Sequence, residues 1–414
     1  MRLKIVDTCA TTSYFHPPVD TSTPPLPPAT IATNPEKPKS HRFYRPELDT
    51  LRFFAFFGVF VFHIIPNDAY FYQSHHFLFP AIVPIVCAVA GAGAYGVDLF
   101  FALSAFLITT LLIREEEVRG TIDTSAFYVR RILRIWPLYF FFIAVAALVP
   151  IWDRTQHLGW SFIAGYLLLS GNWIYIFLGL PHSIAGPLWS VSIEEQFYLV
   201  WPLALRRLSR RNLVFVVIGL LLLANVVRAW LVYSHVLGAA IEYNTFARID
   251  PIALGILVAY FLGSEAPSLS LFGRSVLTIT SIALWCLVAS HTSLNAQTEV
   301  APIMGTLIGR PLVALGAAGL LVAAIGAPAA GARALTHPWL TYLGRISYGL
   351  YVYHAAGLLL AGHLFHTNSV KAFGAYALTG FALTVCFSAV SYRWLETPFL
   401  KLKERFAVVR SRPV

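Results

Sequence analysis

Three ionisable side chains, Asp49, Arg52 and His63, interrupt an apolar stretch that is rich in phenylalanine and valine. In an α-helix, Arg52 and His63 would lie roughly 20° apart around the axis and about 16 Å apart along it. Asp49 would lie within about 40° of His63 on the same face. An imidazole accepts protons near neutral pH, and a guanidinium group binds anions. The spacing predicts a polar stripe that faces protein or a water-filled cavity; a snorkelling arginine and a structural histidine are the alternative.

Two adjacent carboxylates occur in the segment from Pro187 to Tyr198. Ser192 and Glu195 fit the capping-box pattern Ser-x-x-Glu, which would give Glu195 a structural role at a helix start. Glu194 has no such explanation, and paired acids at a membrane boundary are functional candidates. Both carboxylates therefore remain candidates at this stage.

A basic cluster comprises Arg130, Arg131 and Arg134 and precedes an apolar run. Arg131 and Arg134 are three positions apart and would be neighbours on one helix face. Arginine binds phosphate groups through two parallel hydrogen bonds, so this pair is a candidate phosphate site. The alternative is an orientation signal, because cytoplasmic loops of membrane proteins are rich in lysine and arginine.

Three other polar positions are interpreted as structural. Asp98 begins an apolar run and is expected to cap that helix, where a carboxylate is favourable. Arg248 and Asp250 are expected to form a local ion pair. His354, a lone histidine on an aromatic-rich segment, is expected to be hydrogen-bonded within the core.

The composition excludes a soluble globular protein. Of the 414 residues, 57% are hydrophobic and only 12% are charged, whereas about a quarter of a soluble domain is charged. The net charge of +10 is interpreted as an orientation signal, and no nucleic-acid partner is expected. The four cysteines show no CxxC spacing, so they predict no metal site and no disulfide framework: Cys9, Cys87, Cys286 and Cys386.

The apolar pattern predicts an all-α, polytopic membrane bundle of about ten transmembrane helices. It is expected to occupy residues 45–400, between a disordered proline-rich leader at 1–44 and a basic cytoplasmic tail at 401–414. The predicted spans are residues 48–66, 93–113, 133–151, 189–205, 213–233, 250–263, 274–292, 303–325, 346–365 and 371–392.

The basic loops constrain the topology. They agree with one another only if an even number of crossings separates successive basic loops. Residues 77–91 and 160–180 are therefore interpreted as re-entrant or surface-lying segments buried against protein. Both termini are then predicted to be cytoplasmic.

Five motifs in the same order give the chain its resemblance to a known family: Asp49-x-x-Arg52-x10-His63, GVDLFFALSAFL, RRILRI, LWSVSIEEQFYLVWP and ISYGLYVYH. From about Tyr44 to Phe399, the sequence resembles the acyltransferase 3 family of integral membrane acyltransferases, which includes O-acetyltransferases of bacterial lipopolysaccharide O-antigen, peptidoglycan and other glycans. Where that family usually has Ser-Gly, this chain has Ser104-Ala105, a change at a close helix contact.

The resemblance implies an acyl-CoA donor, with acetyl-CoA expected, and a hydroxyl acceptor on a carbohydrate or lipid-linked glycan. It implies no bound cofactor, a bacterial cytoplasmic membrane and, because the chain ends soon after the last predicted span, no appended extracytoplasmic domain. His63 would be the catalytic base and Glu194 the second catalytic candidate. The remaining candidates would bind substrate: Asp49, Arg52, Ser104, Arg131, Arg134 and Glu195.

The main alternative function is a secondary transporter or flippase for a charged lipid or glycan. Ionisable residues within a membrane also suit ion and proton pathways. Transporters often contain duplicated halves, and no internal repeat is found in this sequence.

Overall fold

The computed structural model describes residues 43–66, 71–72, 79–263, 265–292, 294, 299–326, 333–365, 370–407 and 409. These residues belong to one compact unit. Within the described ranges the chain is helical and forms no strand, apart from an isolated bridge between Leu237 and Val300. The all-α prediction is therefore confirmed for this part of the chain. The predicted leader lies outside the described residues except for Phe43 and Tyr44, and the predicted tail is described at 401–407 and 409.

The helices follow one another with short connections. They are α1 (Pro46–Ile64), α2 (Val83–Gly93), α3 (Gly96–Arg119), α4 (Thr124–Leu148), α5 (Trp160–Leu167), α6 (Gly171–Leu178), α7 (Trp189–Arg207), α8 (Arg210–Tyr233), α9 (Gly238–Glu242), α10 (Asp250–Leu262), α11 (Leu271–His291), α12 (Arg310–Ala324), α13 (Pro338–Arg345), α14 (Ser347–Leu364), α15 (Val370–Ser391) and α16 (Thr397–Lys403).

Six helical segments of the described chain are long and apolar enough to cross a membrane: Val83–Arg119, Thr124–Ile151, Arg211–Tyr233, Leu271–His291, Gly305–Ala324 and Lys371–Phe406. The predicted count of about ten spans is therefore not confirmed, because six segments meet the length and hydropathy required. The other four predicted spans coincide with α1, α7, α10 and α14. Three of these carry buried carboxylates that lower their hydropathy: Asp49 in α1, Glu195 in α7 and Asp250 in α10. Helix α10 is also short, with 13 residues.

The two segments that the sequence predicts not to cross the membrane, residues 77–91 and 160–180, differ in structure. Residues 160–180 form α5 and α6, which have eight residues each and are only about 12 Å long. Neither helix can cross a hydrocarbon core of about 30 Å, as the sequence predicted. Leu169 makes the turn between them, with a left-handed φ of 55°. Most of the other segment, residues 77–91, belongs to α2. Helix α2 continues into α3 through a break at Ala94 and Tyr95, and the two helices form one apolar segment of 37 residues.

Helix α3 lies at the centre of the bundle and contacts α1, α7, α10 and α12. Glycines permit the closest approaches. A Cβ atom at Gly255 of α10 would collide with the Ala102 carbonyl oxygen of α3, and one at Gly344 of α13 would collide with the Asp49 carbonyl oxygen of α1. Ala105 is fully buried, so the alanine in place of the usual glycine is accommodated, and Gly255 provides a close helix contact within one turn of it.

We expect Gly255→Ala to lower the melting temperature of the protein in detergent. The added methyl group meets backbone atoms that cannot rotate away, and overpacking of this kind costs about 1–3 kcal/mol. Gly219→Ala is the matched control, because nothing lies within 4 Å of a Cβ at that helical glycine. The control should keep or raise the melting temperature, since alanine is the better helix former by up to about 1 kcal/mol. Equal melting temperatures for the two variants would contradict the close packing of α10 on α3.

Candidate active site

A cavity of about 140 Å³ opens among α1, α3, α4 and the chain after α16. We call it the cationic cavity, because six basic side chains line it: Arg45, Arg52, Arg130, Arg131, Arg134 and Lys403. Ala407 and Val409 also line it, so the described part of the predicted tail packs against the bundle. An excess of guanidinium groups around one cavity favours an anionic ligand.

The first polar motif contributes one wall of the cationic cavity. Asp49 is 1% exposed, and its Oδ1 accepts a hydrogen bond from Arg52 Nη1 at 3.2 Å. The Tyr44 hydroxyl donates to Oδ2 of the same carboxylate at 3.1 Å. Asp49 and Arg52 therefore share a face of α1, as the spacing predicted, and the buried carboxylate holds the guanidinium group at the cavity.

The basic cluster contributes the opposite wall. Arg130 donates to Glu115 Oε2 at 2.7 Å and to the Phe406 carbonyl oxygen at 2.8 Å. Arg131 lies over the Tyr198 ring, with 5.3 Å between the guanidinium carbon and the ring centroid. Arg134 lines the same cavity. Two arginines of the predicted Arg-x-x-Arg pair are thus brought together with Arg52.

The adjacent carboxylates point to different neighbours. Glu194 accepts from the Ser104 hydroxyl at 3.0 Å and from the Tyr198 hydroxyl at 2.9 Å. It thereby links α7 to α3, and Ser104 lines the cationic cavity. Glu195 is 7% exposed and accepts from the Trp136 indole at 3.0 Å.

The predicted capping box is wrong. Helix α7 begins at Trp189, and no side chain caps its first turn. Ser192 is already inside the helix, fully buried, with its hydroxyl 3.5 Å from the Leu188 carbonyl oxygen. The pattern Ser-x-x-Glu occurs here by coincidence, because the helix starts four residues earlier than a capping box at Ser192 implies.

His63 lines a second cavity, of about 230 Å³, which we call the histidine cavity. Its Nδ1 lies 2.8 Å from the Val59 carbonyl oxygen. Because a carbonyl oxygen only accepts hydrogen bonds, Nδ1 carries the proton, and the neutral ring has its lone pair on Nε2. His63 is exposed within this arrangement, so Nε2 is available to take a proton.

His354 is fully buried and hydrogen-bonded, as the sequence predicts, but it does not stand alone. Its ring centroid lies 4.9 Å from that of His63. Its Nδ1 lies 2.6 Å from the Tyr351 carbonyl oxygen, whereas its buried Nε2 has no partner within the described ranges. No sequence pattern joins these two histidines, because they lie on different helices.

Two further expectations, the helix cap at Asp98 and the ion pair between Arg248 and Asp250, are wrong because the actual partners lie on other helices or turns. Arg248 donates to Asp98 Oδ2 at 3.2 Å, so Asp98 pairs across helices, and α3 has no side-chain cap. Asp250 pairs with Arg228 of α8 through both carboxylate oxygens. Arg248 and Asp250 thus have separate partners, although they are two positions apart in the chain.

The predicted site residues are divided between two cavities. Five of them line the cationic cavity: Asp49, Arg52, Ser104, Arg131 and Arg134. His63 lines the histidine cavity, Glu194 contacts Ser104, and Glu195 lines neither. Glu242 and Tyr243, which lie outside the five motifs, line the histidine cavity with His63. Tyr351, which belongs to the motif ISYGLYVYH but was not a candidate site residue, lines it as well. In the ranges that the structure describes, no three metal-binding side chains converge.

The model of the acyltransferase 3 family, described as an acyltransferase domain, matches residues 45–393. The chain is 26% identical over 383 residues to the peptidoglycan O-acetyltransferase OatA of Listeria monocytogenes, covering 87% of this chain and 56% of that protein. It is 25% identical over 375 residues to the O-acetyltransferase OatA of Staphylococcus aureus, covering 86% and 57%.

The chain thus spans a little over half the length of these curated relatives. No solved structure matches it. The family model covers the first polar motif, the basic cluster and His354, and the matched region contains apolar helices long enough to cross a bilayer. The chain is therefore an integral membrane protein that belongs to the acyltransferase 3 family.

Proposed function

We propose that this protein is an O-acyltransferase that moves an acetyl group from acetyl-CoA to a hydroxyl of a carbohydrate, with His63 as general base. The observation that carries the proposal is the pair of cavities along α1. The cationic cavity lies at the Asp49 end of the helix and the histidine cavity at the His63 end. The relative named as a peptidoglycan O-acetyltransferase supports a glycan acceptor.

The cationic cavity would bind the phosphates of coenzyme A. Arg52, Arg131 and Arg134 line it, and guanidinium groups bind phosphate oxygens bidentately. With both termini in the cytoplasm, this cavity would open to the side where acetyl-CoA is available. The extended pantetheine arm of coenzyme A suits a donor whose phosphates and thioester lie toward opposite ends of one helix.

The histidine cavity would hold the acceptor hydroxyl. A hydroxyl is a poor nucleophile at neutral pH, so His63 Nε2 would remove its proton as the oxygen attacks the thioester carbonyl. The tetrahedral intermediate then collapses, the C–S bond breaks, and the imidazolium returns the proton to the leaving thiolate. The products are an O-acetyl ester and coenzyme A with a free thiol.

Glu194 is proposed to act between the two cavities. Its hydrogen bonds to Ser104 and Tyr198 support a role in orienting the wall along which the donor passes. For Glu195, the Trp136 contact and the absence from either cavity lining favour a structural role over the substrate-binding role that the motif suggested.

The direct test uses the purified chain in lipid vesicles, with acetyl-CoA and soluble peptidoglycan fragments. Thiol release that depends on the fragments, together with acetyl esters on them, is the expected result. Movement of a glycan across the vesicle membrane without acetyl-CoA consumption would instead support the transporter alternative.

Arg134→Ala is expected to weaken acetyl-CoA binding by about tenfold or more, the usual scale for losing a hydrogen bond to a charged group. Arg134→Lys should rescue only partly, because lysine lacks the planar fork. Arg207→Ala is the matched control, since Arg207 is exposed and lies outside the cationic cavity. Titration of acetyl-CoA by calorimetry measures the effect. Equal affinities in the Arg134 and Arg207 variants would leave the cluster as an orientation signal only.

A further inference from the structure

Glu242 lines the histidine cavity but belongs to none of the sequence motifs. It ends the short helix α9, between α8 and α10. Arg248 Nη1 donates to its Oε2 at 3.4 Å, and Arg310 Nη2 contacts the same oxygen. Among the residues that the structure describes, none donates to Oε1. The two arginines therefore fix the carboxyl group while one of its oxygens stays available.

Tyr243 is the next residue and lines the same cavity. Its side chain is 1% exposed, and its hydroxyl has no partner within the described ranges. A buried hydroxyl without a partner is unfavourable unless water or a ligand completes its hydrogen bonds. By comparison, the Tyr351 hydroxyl is paired with Ser190 Oγ at 2.7 Å. Two neighbouring residues of the cavity lining thus each carry an unused polar atom, the Oε1 of Glu242 and the buried hydroxyl of Tyr243.

The rest of the cavity wall is aromatic. Trp189 and Tyr351 line it together with His63. The volume of about 230 Å³ far exceeds the ~10–15 Å³ that one water requires. A pyranose presents hydroxyl groups around its rim and apolar C–H faces, which suits carboxyl and phenol oxygens beside aromatic rings. A purely structural ion pair would require neither the unused oxygen nor the aromatic cavity.

We infer that Glu242 and Tyr243 form an acceptor subsite that binds hydroxyls of the carbohydrate and places another hydroxyl at His63 Nε2. This inference rests on the proposed function for the identity of the acceptor. Glu242 and Tyr243 bind and position, and no bond to either is made or broken. A subsite of this kind rejects acceptors that lack the bound hydroxyl, because buried polar groups would then be left unpaired.

The test measures binding of soluble peptidoglycan fragments to the full chain in detergent, without acetyl-CoA. Glu242→Gln is expected to weaken binding by about tenfold or more, and Tyr243→Phe by about two- to tenfold. Acetyl-CoA affinity should be unchanged in both variants. Glu299→Gln is the matched control, since that side chain is exposed and lies outside the cavity lining.

Tyr243→Phe separates binding from folding, because removing an unpaired hydroxyl does not cost stability. If the Glu242 variant fails to fold, the Tyr243 variant decides the question. Unchanged fragment affinity in folded variants, or no fragment binding by the parent protein, overturns the subsite. If the variants bind fragments more weakly but the parent protein transfers no acetyl group, the subsite is supported and the proposed reaction is overturned. If the parent transfers acetyl groups normally but Tyr243→Phe binds fragments as tightly as the parent, the proposed reaction is supported and the subsite is overturned.

Discussion

His63→Ala is expected to reduce acetyl transfer by roughly 10²–10⁴-fold, the usual contribution of a positioned general base. The hydrogen bond from Nδ1 to the Val59 carbonyl oxygen, at 2.8 Å, orients the ring and leaves Nε2 as the basic atom. Removing the imidazole leaves the acceptor hydroxyl without a proton acceptor in the histidine cavity. Transfer is measured as acetyl ester formed from acetyl-CoA at matched amounts of folded protein.

His63→Gln distinguishes a base from a structural histidine. The glutamine amide keeps some hydrogen bonding to the helix but cannot take a proton at neutral pH, so this variant should be almost as inactive as the alanine variant. His291→Gln is the matched control, because His291 Nδ1 also contacts the carbonyl oxygen four residues earlier, that of Leu287, at 3.1 Å. Substantial transfer by His63→Gln would remove the base assignment and shift attention to Glu194.

Asp250→Ala is expected to lower the free energy of unfolding by about 3–5 kcal/mol, because it leaves the Arg228 guanidinium group buried without its carboxylate. The two side chains are 0% and 3% exposed, and Arg228 Nη2 donates to Asp250 Oδ1 at 3.0 Å. One further contact, from Arg228 Nη1 to the Ala247 carbonyl oxygen at 2.9 Å, would remain. Thermal unfolding in detergent measures the loss.

The double variant Arg228→Met/Asp250→Leu should recover much of that stability, since replacing a buried ion pair by apolar side chains is often neutral. Arg119→Ala provides the control for an exposed pair. Arg119 and Asp123 are 4.0 Å apart with exposures of 51% and 42%, so its loss should cost no more than about 1 kcal/mol. If Asp250→Ala behaved like Arg119→Ala, the buried pairing of α8 with α10 would be refuted.

The class of the protein and much of its local structure follow from the sequence. The excess of apolar residues requires a membrane environment, and each predicted span coincides with a helix in the structure. The contact between Asp49 and Arg52 was predictable, because residues three apart on one helix are neighbours by geometry alone. The order of the five motifs likewise indicated the family that the family model confirms.

Contacts between helices could be decided only by the tertiary structure. Arg248 was expected to pair with Asp250, yet its partners are Asp98 and Glu242. Residues two apart on a helix point in different directions, so packing against α3 and α9 selects the partner.

The same reason explains the candidate site. Helical spacing placed His63 and Arg52 on one stripe, but the packing of α14 brought His354 against His63. The short helix α9 carried Glu242 into the histidine cavity. A sequence specifies which side chains share a face of one helix, whereas the close approach of different helices, through contacts such as Gly255 on Ala102, determines which faces meet and which cavities remain between them.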